Sequence, residues 1–414
     1  MSEHDLIGFL KFNRQGSAMQ VRKILQQLLD ATIHKTRIKS LLPIIQAIIV
    51  SKQLRLTQLG RSLDTPGKER SGIRRVDRLL ANRYYQEKGI DIYKATTQTV
   101  LGNQGRPIIL VDWTGLPNSQ NTTGDGEHCA LRASLISEGR SITLYEEAYS
   151  KKKENNDEVH QEFLKKLKSI LPQGCRPYVV TDAGFKNPWF RAVLALGWDY
   201  IGRVRGKVTY DIGNGFEPIK NLHDKASSIP KSLGSLLLAK ENSLKTNCYI
   251  YKHKLKGRKK LTKAGKIAQS NVSKKASTAY RELWVLVSSL SGFSAVSRVI
   301  KTYKYRMTIE GSFRDAKSTE FGFSLNENKT IKSARYRVWL MISTLAYLIA
   351  WIIGYAAEKQ GLHYDFQANT YKHRRVLSFF YLGCQIVRKK IEVPIQLNEI
   401  QQTAWNEIAW NILC

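Results

Sequence analysis

The stretch "RPIILVDWT" (residues 106–114) decides the fold of this chain. It ends about a hundred residues of helical pattern and begins a series of short apolar runs bounded by polar residues, which is typical of buried strands. The runs "CALRASLIS" and "RSITLYEEAY" follow on either side of the turn "EGR" (138–140). These runs predict an antiparallel hairpin next to the first strand.

Helical and strand patterns alternate after the hairpin. The sequence predicts a helix over residues 157–171, a strand over 176–185, a helix in "PWFRAVLALG" and a strand over 199–206. This order, β-β-β-α-β-α-β with early antiparallel pairing, indicates a mixed α/β sheet covered by helices.

The region before residue 100 is predicted to be helical and to bind DNA. Apolar patterns indicate helices over residues 41–54, 55–64 and 73–86, with the turn "TPGKERSG" (65–72) before the last. The last helix is rich in arginine, at Arg74, Arg75, Arg78 and Arg83. Two short helices around a turn, the second basic, favour a helix-turn-helix-like DNA reader, with an ordinary basic helical bundle as the alternative.

These patterns divide the chain into five predicted segments. They are a helical DNA-binding domain (1–100), the first part of the α/β core (101–206), a β-rich insertion (207–290), the second part of the core (291–360) and a helical C-terminal region (361–414).

The net charge indicates the partner. Sixty-six Lys and Arg against thirty-four Asp and Glu give a formal charge of +32. A chain this basic favours nucleic acid as the partner over an unspecific basic surface or a peripheral membrane protein. Ten of the cations lie between Lys252 and Lys275 with no acid among them.

The sequence favours a reducing cytoplasm and no membrane. Its five cysteines form no CxxC pair, and no signal peptide is evident at the N-terminus. Residues 338–357 carry no charge and are long enough to span a bilayer. Polar residues interrupt the run and no second run resembles it, so a helix buried in the core is the preferred interpretation and a membrane-associated protein the alternative.

Three acids are candidates for a metal site. Asp112 in "ILVDW" and Asp182 in "VVTDAGF" each lie in or after an apolar strand. A buried strand tolerates an ionised carboxylate when it is paired or bound to a metal. Two such aspartates, with Glu310 as third ligand, would suit Mg²⁺, with Mn²⁺ as a substitute.

The stretch "YKYRMTIEGSFRDAK" (303–317) surrounds Glu310 with cations. The stretch is predicted to be one continuous helix, on which Tyr303, Arg306, Glu310 and Lys317 share a face about 60° wide. Two metal ions held by the three acids would suit phosphodiester chemistry, with Arg306 and Lys317 on the phosphates. An ordinary ion-paired helix face is the alternative for any one of these residues.

The same residues resemble a known family. "YKYRMTIEGSFRDAK" matches the Y-x2-R-x3-E-x6-K signature of bacterial DDE transposases of the insertion-sequence-four family, and "IILVDWTGL" and "VVTDAGFKNPWF" look like the two aspartate motifs of that family. Gly311 departs from the pattern, because relatives often carry an acid or a bulkier residue after the glutamate.

The resemblance implies a fold and a reaction. It implies an RNase H-like catalytic core interrupted by a β-rich insertion, with Asp112, Asp182 and Glu310 binding Mg²⁺. It further implies a homodimer that binds double-stranded DNA at terminal inverted repeats, cuts through a hairpin while a flipped base stacks on Trp284, and joins the 3′ ends to target DNA. A core tryptophan on a strand is the alternative for Trp284, and a non-catalytic DNA-binding protein is the alternative for the chain.

Overall fold

The computed structural model describes residues 16–64, 66–117, 126–252, 269–271, 283–370, 373–401 and 405. The chain divides into two compact units. The first comprises Met1–Cys175 and Met307–Asn411, and the second comprises Arg176–Arg306 and Ile412–Cys414. Most of the basic run between Lys252 and Lys275 lies outside the described residues.

The described part of the first unit is mainly helical, with strands at its centre. Its helices are α1 (Gly16–Leu29), α2 (Lys35–Ser51), α3 (Leu56–Arg61), α4 (Glu69–Ala81), α5 (Arg83–Leu101), α6 (Asp157–Ile170), α9 (Met307–Lys317), α10 (Ser333–Lys359), α11 (Phe379–Arg388) and α12 (Leu397–Ile400). Its strands are β1 (Ile108–Gly115), β2 (His128–Leu135) and β3 (Ile142–Ser150).

The strands of the first unit form an antiparallel sheet in the order β3-β2-β1. The predicted hairpin is confirmed, since β2 pairs with β3 across the turn at residues 138–140. The register places Asp112 opposite Arg132, and Arg132 opposite Glu146. Directly opposed residues in a sheet project to the same face, so these charged side chains form a row across the sheet.

Helix α10 contains the uncharged run of residues 338–357. It is long and apolar enough to cross a membrane, but 94% of its most apolar 18-residue window is buried inside the protein. The prediction of a buried core helix is therefore confirmed. Helix α11 packs directly on it, because each helix has a glycine at the contact: a Cβ on Gly354 would lie 1.8 Å from the Phe379 carbonyl oxygen, and one on Gly383 would lie 1.8 Å from that of Ala350.

The second unit is a mixed sheet. Its strands are β4 (Tyr178–Thr181), β5 (Asp199–Val204), β6 (Thr209–Asp211), β7 (Glu217–Pro218), β8 (Lys231–Leu238), β9 (Leu244–Tyr251) and β10 (Trp284–Ser288), and its helices are α7 (Asn187–Ala195) and α8 (Ala295–Lys304). In the sheet, these strands lie side by side in the order β4-β5-β10-β9-β8-β6-β7. Strands β4 and β5 pair in parallel. The described pairings between neighbouring strands from β5 to β7 in this order are antiparallel.

The predicted element order is confirmed. The chain runs β1, β2, β3, α6, β4, α7, β5, as the β-β-β-α-β-α-β pattern requires, and both described ends are helical. The mixed α/β class is therefore confirmed. Strands β6 to β9 fall in the predicted insertion, residues 207–290, while the five-segment division of the chain stays a prediction.

The N-terminal helix boundaries differ from the sequence prediction: the helix expected over residues 41–54 begins earlier, at Lys35, and the one expected over 55–64 ends at Arg61. The expected helix over residues 73–86 begins earlier, at Glu69, and ends at Ala81. Asn82 then caps α5, because its side chain accepts a hydrogen bond from the Tyr84 N–H at 3.0 Å. An asparagine that caps a new helix offers the backbone an alternative to helix continuation, which a propensity pattern alone does not reveal.

Substitution of Gly354 tests the packing of α10 on α11. Gly354→Ala places a methyl group against backbone atoms that cannot rotate away, so we expect a loss of about 3 kcal/mol in the free energy of unfolding. Gly89→Ala in α5 is the matched control, because the atom near its Cβ is the Met341 sulfur at 3.4 Å. We expect this control to be neutral or stabilising by up to about 1 kcal/mol. Denaturant unfolding of both variants measures the difference, and equal effects would contradict the close packing.

Candidate active site

Asp112 lies in the interior of β1 and is 8% exposed. One of its oxygens, Oδ1, accepts a hydrogen bond from the Trp113 N–H at 2.9 Å. The Trp113 indole in turn donates to Nε2 of the buried His160 on α6, at 3.1 Å. Burial lowers the pKa of His160 to about 4, so the ring is neutral near pH 7 and can accept this bond. The residue that orients the Asp112 carboxylate is therefore anchored to α6.

Helix α9 carries the next two predicted residues, Glu310 and Lys317. Its apolar side buries Ile309, Phe313 and Ala316, which leaves Glu310 exposed. The Lys317 ammonium donates to the Thr114 hydroxyl at 2.6 Å. Since Thr114 is two residues beyond Asp112, both side chains project from the same face of β1.

The ionisation of Lys317 links these groups electrostatically. Burial lowers the pKa of Lys317, the charge of Arg132 lowers it further, and the charge of Glu310 raises it. Lys317 is thus within electrostatic reach of Glu310 and Arg132 while it contacts Thr114. The structure brings Asp112, Glu310 and Lys317 to one side of the first unit.

The other residues predicted for the active site belong to the second unit; they are Asp182, Trp284, Tyr303 and Arg306. Asp182 directly follows β4, is half-buried, and accepts a hydrogen bond from the Gly184 N–H at 2.8 Å. This bond forms a local turn that holds the carboxylate at the strand end.

Trp284 begins β10 and is half-buried within an aromatic cluster. Its ring centroid lies 5.6 Å from that of Tyr251 and 4.9 Å from that of Tyr303, with an edge-to-face arrangement in the second pair. Tyr303 is 4% exposed. The two predicted DNA-contacting aromatic residues are therefore in contact with each other, and their contact with a base stays a prediction.

The continuous helix predicted over residues 303–317 is wrong. Helix α8 ends at Lys304, Tyr305 and Arg306 form a turn, and α9 begins at Met307. If α8 and α9 formed one straight helix, their buried faces would point in directions about 110° apart around the helix axis. The break allows each of the two helices to bury its own apolar residues. Tyr303 and Arg306 consequently do not share a helix face with Glu310 and Lys317.

Gly311 lies directly against the Arg140 side chain. A Cβ at Gly311 would lie 2.8 Å from Cδ of Arg140, whose side chain lies across the helix at this point. Arg140 donates through Nε to Asp315 at 2.8 Å. Gly311 thus makes room for an ion pair that connects the β2–β3 turn to the helix carrying Glu310.

Helix α4 presents the predicted DNA-binding arginines. Arg74 and Arg78 are exposed and Arg75 is half-buried. Arg70, which sequence reasoning missed, is also exposed, and the spacing of four residues aligns it with Arg74 and Arg78. Helix α3 crosses α4 in close contact, since a Cβ on Gly72 would lie 2.3 Å from the Gly60 carbonyl oxygen. We name Arg70, Arg74 and Arg78 the arginine stripe.

Sequence reasoning also missed a buried ion pair near Asp112. Arg132 on β2 donates to Glu146 on β3, and the side chains are 5% and 0% exposed. The signal was present in the sequence, since "CALRASLIS" holds an arginine in an otherwise apolar strand. A buried cation needs a partner, so this arginine was a candidate for a functional or structural pair.

The donor groups suit a hard divalent cation. Asp112 and Glu310 supply carboxylate oxygens, the ligand type that Mg²⁺ and Mn²⁺ prefer. Among the residues that the structure describes, no group of three or more His, Cys, Asp or Glu side chains is arranged to hold a metal ion. The three-carboxylate metal site therefore stays a prediction.

Comparison with known proteins identifies a family domain. The family model described as "Transposase DDE domain" matches residues 103–349, which include Asp112, Asp182 and Glu310. No curated protein matches the chain. Among solved structures, the chain is similar to the piggyBac transposase in a synaptic complex with hairpin DNA, at 12% identity and a TM-score of 0.42, over 96% of this chain and 82% of that one.

Removal of Arg140 tests the contact between the β2–β3 turn and α9. Arg140→Met leaves the buried Asp315 carboxylate without this cation, so we expect a loss of about 3 kcal/mol in unfolding free energy near neutral pH. Burial already raises the pKa of Asp315 and Arg140 opposes that rise, so the variant raises it further. A raised pKa in the folded protein reduces stability only at pH values where the carboxyl is ionised in the unfolded chain. The loss of unfolding free energy should therefore shrink as the pH falls toward about 4, where Asp315 becomes protonated in both the folded and the unfolded state.

The double variant Arg140→Met with Asp315→Asn serves as the control for this prediction. It removes the buried charge, so the pH dependence of the loss should disappear. Denaturant unfolding at the two pH values measures both variants, and a loss that does not change with pH would contradict the assignment.

Proposed function

The chain belongs to the transposase DDE domain family, and from that membership we propose that it is a DNA transposase of the cut-and-paste type. The observation that carries the proposal is the family match over residues 103–349, which includes the three acids predicted from sequence. We place it in the insertion-sequence-four branch, near the transposase of the tetracycline-resistance composite transposon, on the Y-R-E-K signature and both aspartate motifs.

The proposed reaction is cleavage and joining of phosphodiester bonds. Asp112, Asp182 and Glu310 would hold the divalent metal ions, which we propose to be Mg²⁺. When bound, such ions activate the attacking water or 3′-hydroxyl and stabilise the leaving oxygen. The protein positions the side chains around these ions. The Trp113 N–H donates a hydrogen bond that orients the Asp112 carboxylate, and Thr114, on the same strand as Asp112, accepts a hydrogen bond from the Lys317 ammonium and fixes its position.

Lys317 is suited to bind the scissile or a flanking phosphate. Its ammonium is partly desolvated, and its charge is balanced in part by Glu310. A phosphate in this position would gain a charge-assisted hydrogen bond from a lysine whose position is already fixed. Arg306, in the turn before α9, is the proposed second phosphate contact.

Recognition of the DNA ends is assigned to the N-terminal helices. Helix α4 presents the arginine stripe, and neutralisation of phosphates by arginines releases counterions. The protein would bind the terminal inverted repeats as a homodimer with paired ends, in the cytoplasm of a bacterium.

The proposed route of excision passes through a DNA hairpin. In this route a freed 3′-hydroxyl attacks the opposite strand, and Trp284 stacks on a base that leaves the duplex. The aromatic cluster of Trp284, Tyr251 and Tyr303 supports this proposal, because it holds a half-buried indole in a fixed orientation.

Conservative substitution of each acid tests the catalytic assignment. We expect Asp112→Asn, Asp182→Asn and Glu310→Gln each to reduce Mg²⁺-dependent cleavage of end DNA by about a thousandfold or more, because weaker metal binding removes several kcal/mol of transition-state stabilisation. DNA binding should persist in all three. Gel assays of nicking, hairpin formation and strand transfer measure the first effect, and fluorescence anisotropy measures the second.

Glu320→Gln is the matched control, since this exposed glutamate follows α9 and the contact it makes with Lys52 uses its carbonyl oxygen. It should cleave like the wild type. Wild-type cleavage by any of the three test variants would remove that acid from the active site. Binding without cleavage by the wild-type protein on every end sequence and metal tested would favour a non-catalytic DNA-binding protein.

Neutralisation of the arginine stripe tests the DNA-binding surface. Replacing Arg70, Arg74 and Arg78 with Gln should weaken binding to end DNA and reduce the slope of log K against log salt by about 0.9 for each phosphate that an arginine no longer neutralises. The exposed Lys94→Gln on α5 is the control and should leave both quantities unchanged. A triple variant with the wild-type slope would place the DNA elsewhere.

A further inference from the structure

A row of alternating charges crosses the sheet of the first unit at the level of Asp112. Asp112 on β1 lies opposite Arg132 on β2, and Arg132 lies opposite Glu146 on β3. Directly opposed side chains in an antiparallel sheet have Cβ atoms about 5 Å apart on the same face. Arg132 is 4% exposed and Glu146 is 2% exposed, so a nearly dry cation is the cross-strand neighbour of the proposed metal ligand.

The guanidinium of Arg132 is held toward Glu146. Its Nε and Nη2 donate to Oε2 of Glu146 at 2.8 and 2.7 Å. The other oxygen, Oε1, accepts a hydrogen bond from the Thr344 hydroxyl of α10 at 2.7 Å. Phe313 of α9 covers the guanidinium, with its ring centroid 4.6 Å from Cζ. The orientation of this pair is therefore fixed by elements on both sides.

The position of this pair has an electrostatic consequence for the metal site. An uncompensated cation beside Asp112 would repel a divalent metal ion and compete with it for the carboxylate. In a poorly hydrated site such charges interact over several ångströms, because few water molecules screen them. Glu146 supplies a negative charge on the side of Arg132 opposite β1 and accepts hydrogen bonds from its Nε and Nη2.

We propose that Glu146 is a positioning residue for the active site: it binds Arg132 and compensates its charge, so that the Asp112 carboxylate keeps its affinity for a divalent cation. The inference deepens the proposed function and rests on it, since it takes Asp112 as a metal ligand. Thr344 of α10 holds the second oxygen of Glu146, while the charge that compensates Arg132 belongs to Glu146 itself.

Metal binding by the protein without DNA tests the inference. Free Mn²⁺ is measured by electron paramagnetic resonance during titration of the full chain. We expect Glu146→Gln to weaken Mn²⁺ binding roughly tenfold, because it leaves the Arg132 charge uncompensated. Arg132→Gln should not weaken binding and should strengthen it, because it leaves an extra negative charge near the site.

The opposite signs separate this role from a structural one. Both substitutions break the same buried ion pair, so a purely structural pair would give weaker binding in both variants. The double variant Arg132→Gln with Glu146→Gln should return to within about twofold of the wild type, since the net charge is unchanged. Thr344→Val keeps both charges and should also stay within about twofold. Circular dichroism checks folding, and if one single variant is unfolded, the other and Thr344→Val decide.

The failure of this inference is distinguishable from failure of the proposed function. If Asp112→Asn binds Mn²⁺ as the wild type does, the metal-site assignment is wrong. If Asp112→Asn binds more weakly while the Glu146 and Arg132 variants both match the wild type or both weaken, the metal site stands and the charge compensation is overturned.

Discussion

The first unit depends on the need to cover helix α10 on every side. Twenty-one of its residues are buried, from Tyr336 to Ala357, so a single packing partner cannot shield it from water. Helices α2, α5 and α11 and strand β3 surround it. The glycine contacts between α10 and α11 set the closest approach, because backbone meets backbone there. Much of the first unit is thus a shell around one apolar helix.

The same helix connects this shell to the candidate active site. Thr344 binds Glu146, and Arg337 contacts Glu147, the next residue of β3, at 3.1 Å. Glu146 holds Arg132, and Arg132 neighbours Asp112 in the sheet. A short series of buried polar contacts thus runs from α10 to Arg132, the cross-strand neighbour of the carboxylate proposed to bind metal.

The distribution of charge in the first unit reflects the cost of burying a charged group. Three buried acids of the first unit form ion pairs with cations: Glu146 with Arg132, Glu147 with Lys166 and Arg337, and Asp315 with Arg140. Desolvation makes an unpaired buried charge costly, so the interior is close to neutral where the structure describes it. Many of the described Lys and Arg residues are exposed, including the arginine stripe, and they contribute to the formal charge of +32. A basic surface fits the proposed binding to DNA.

The sequence by itself determined the order of the strands and helices, the burial of α10 and the candidate residues Asp112, Asp182 and Glu310. These follow from local periodicity and motif spacing, which depend on neighbours along the chain. Only the tertiary structure decided the break at Tyr305 and Arg306, the contact of Gly311 with Arg140 and the Arg132–Glu146–Thr344 series. The space beside Gly311 is occupied by Arg140, 171 positions earlier, and Glu146 is bound by Thr344, which is 198 positions away. Contacts at such separations arise from packing, and no local pattern encodes them.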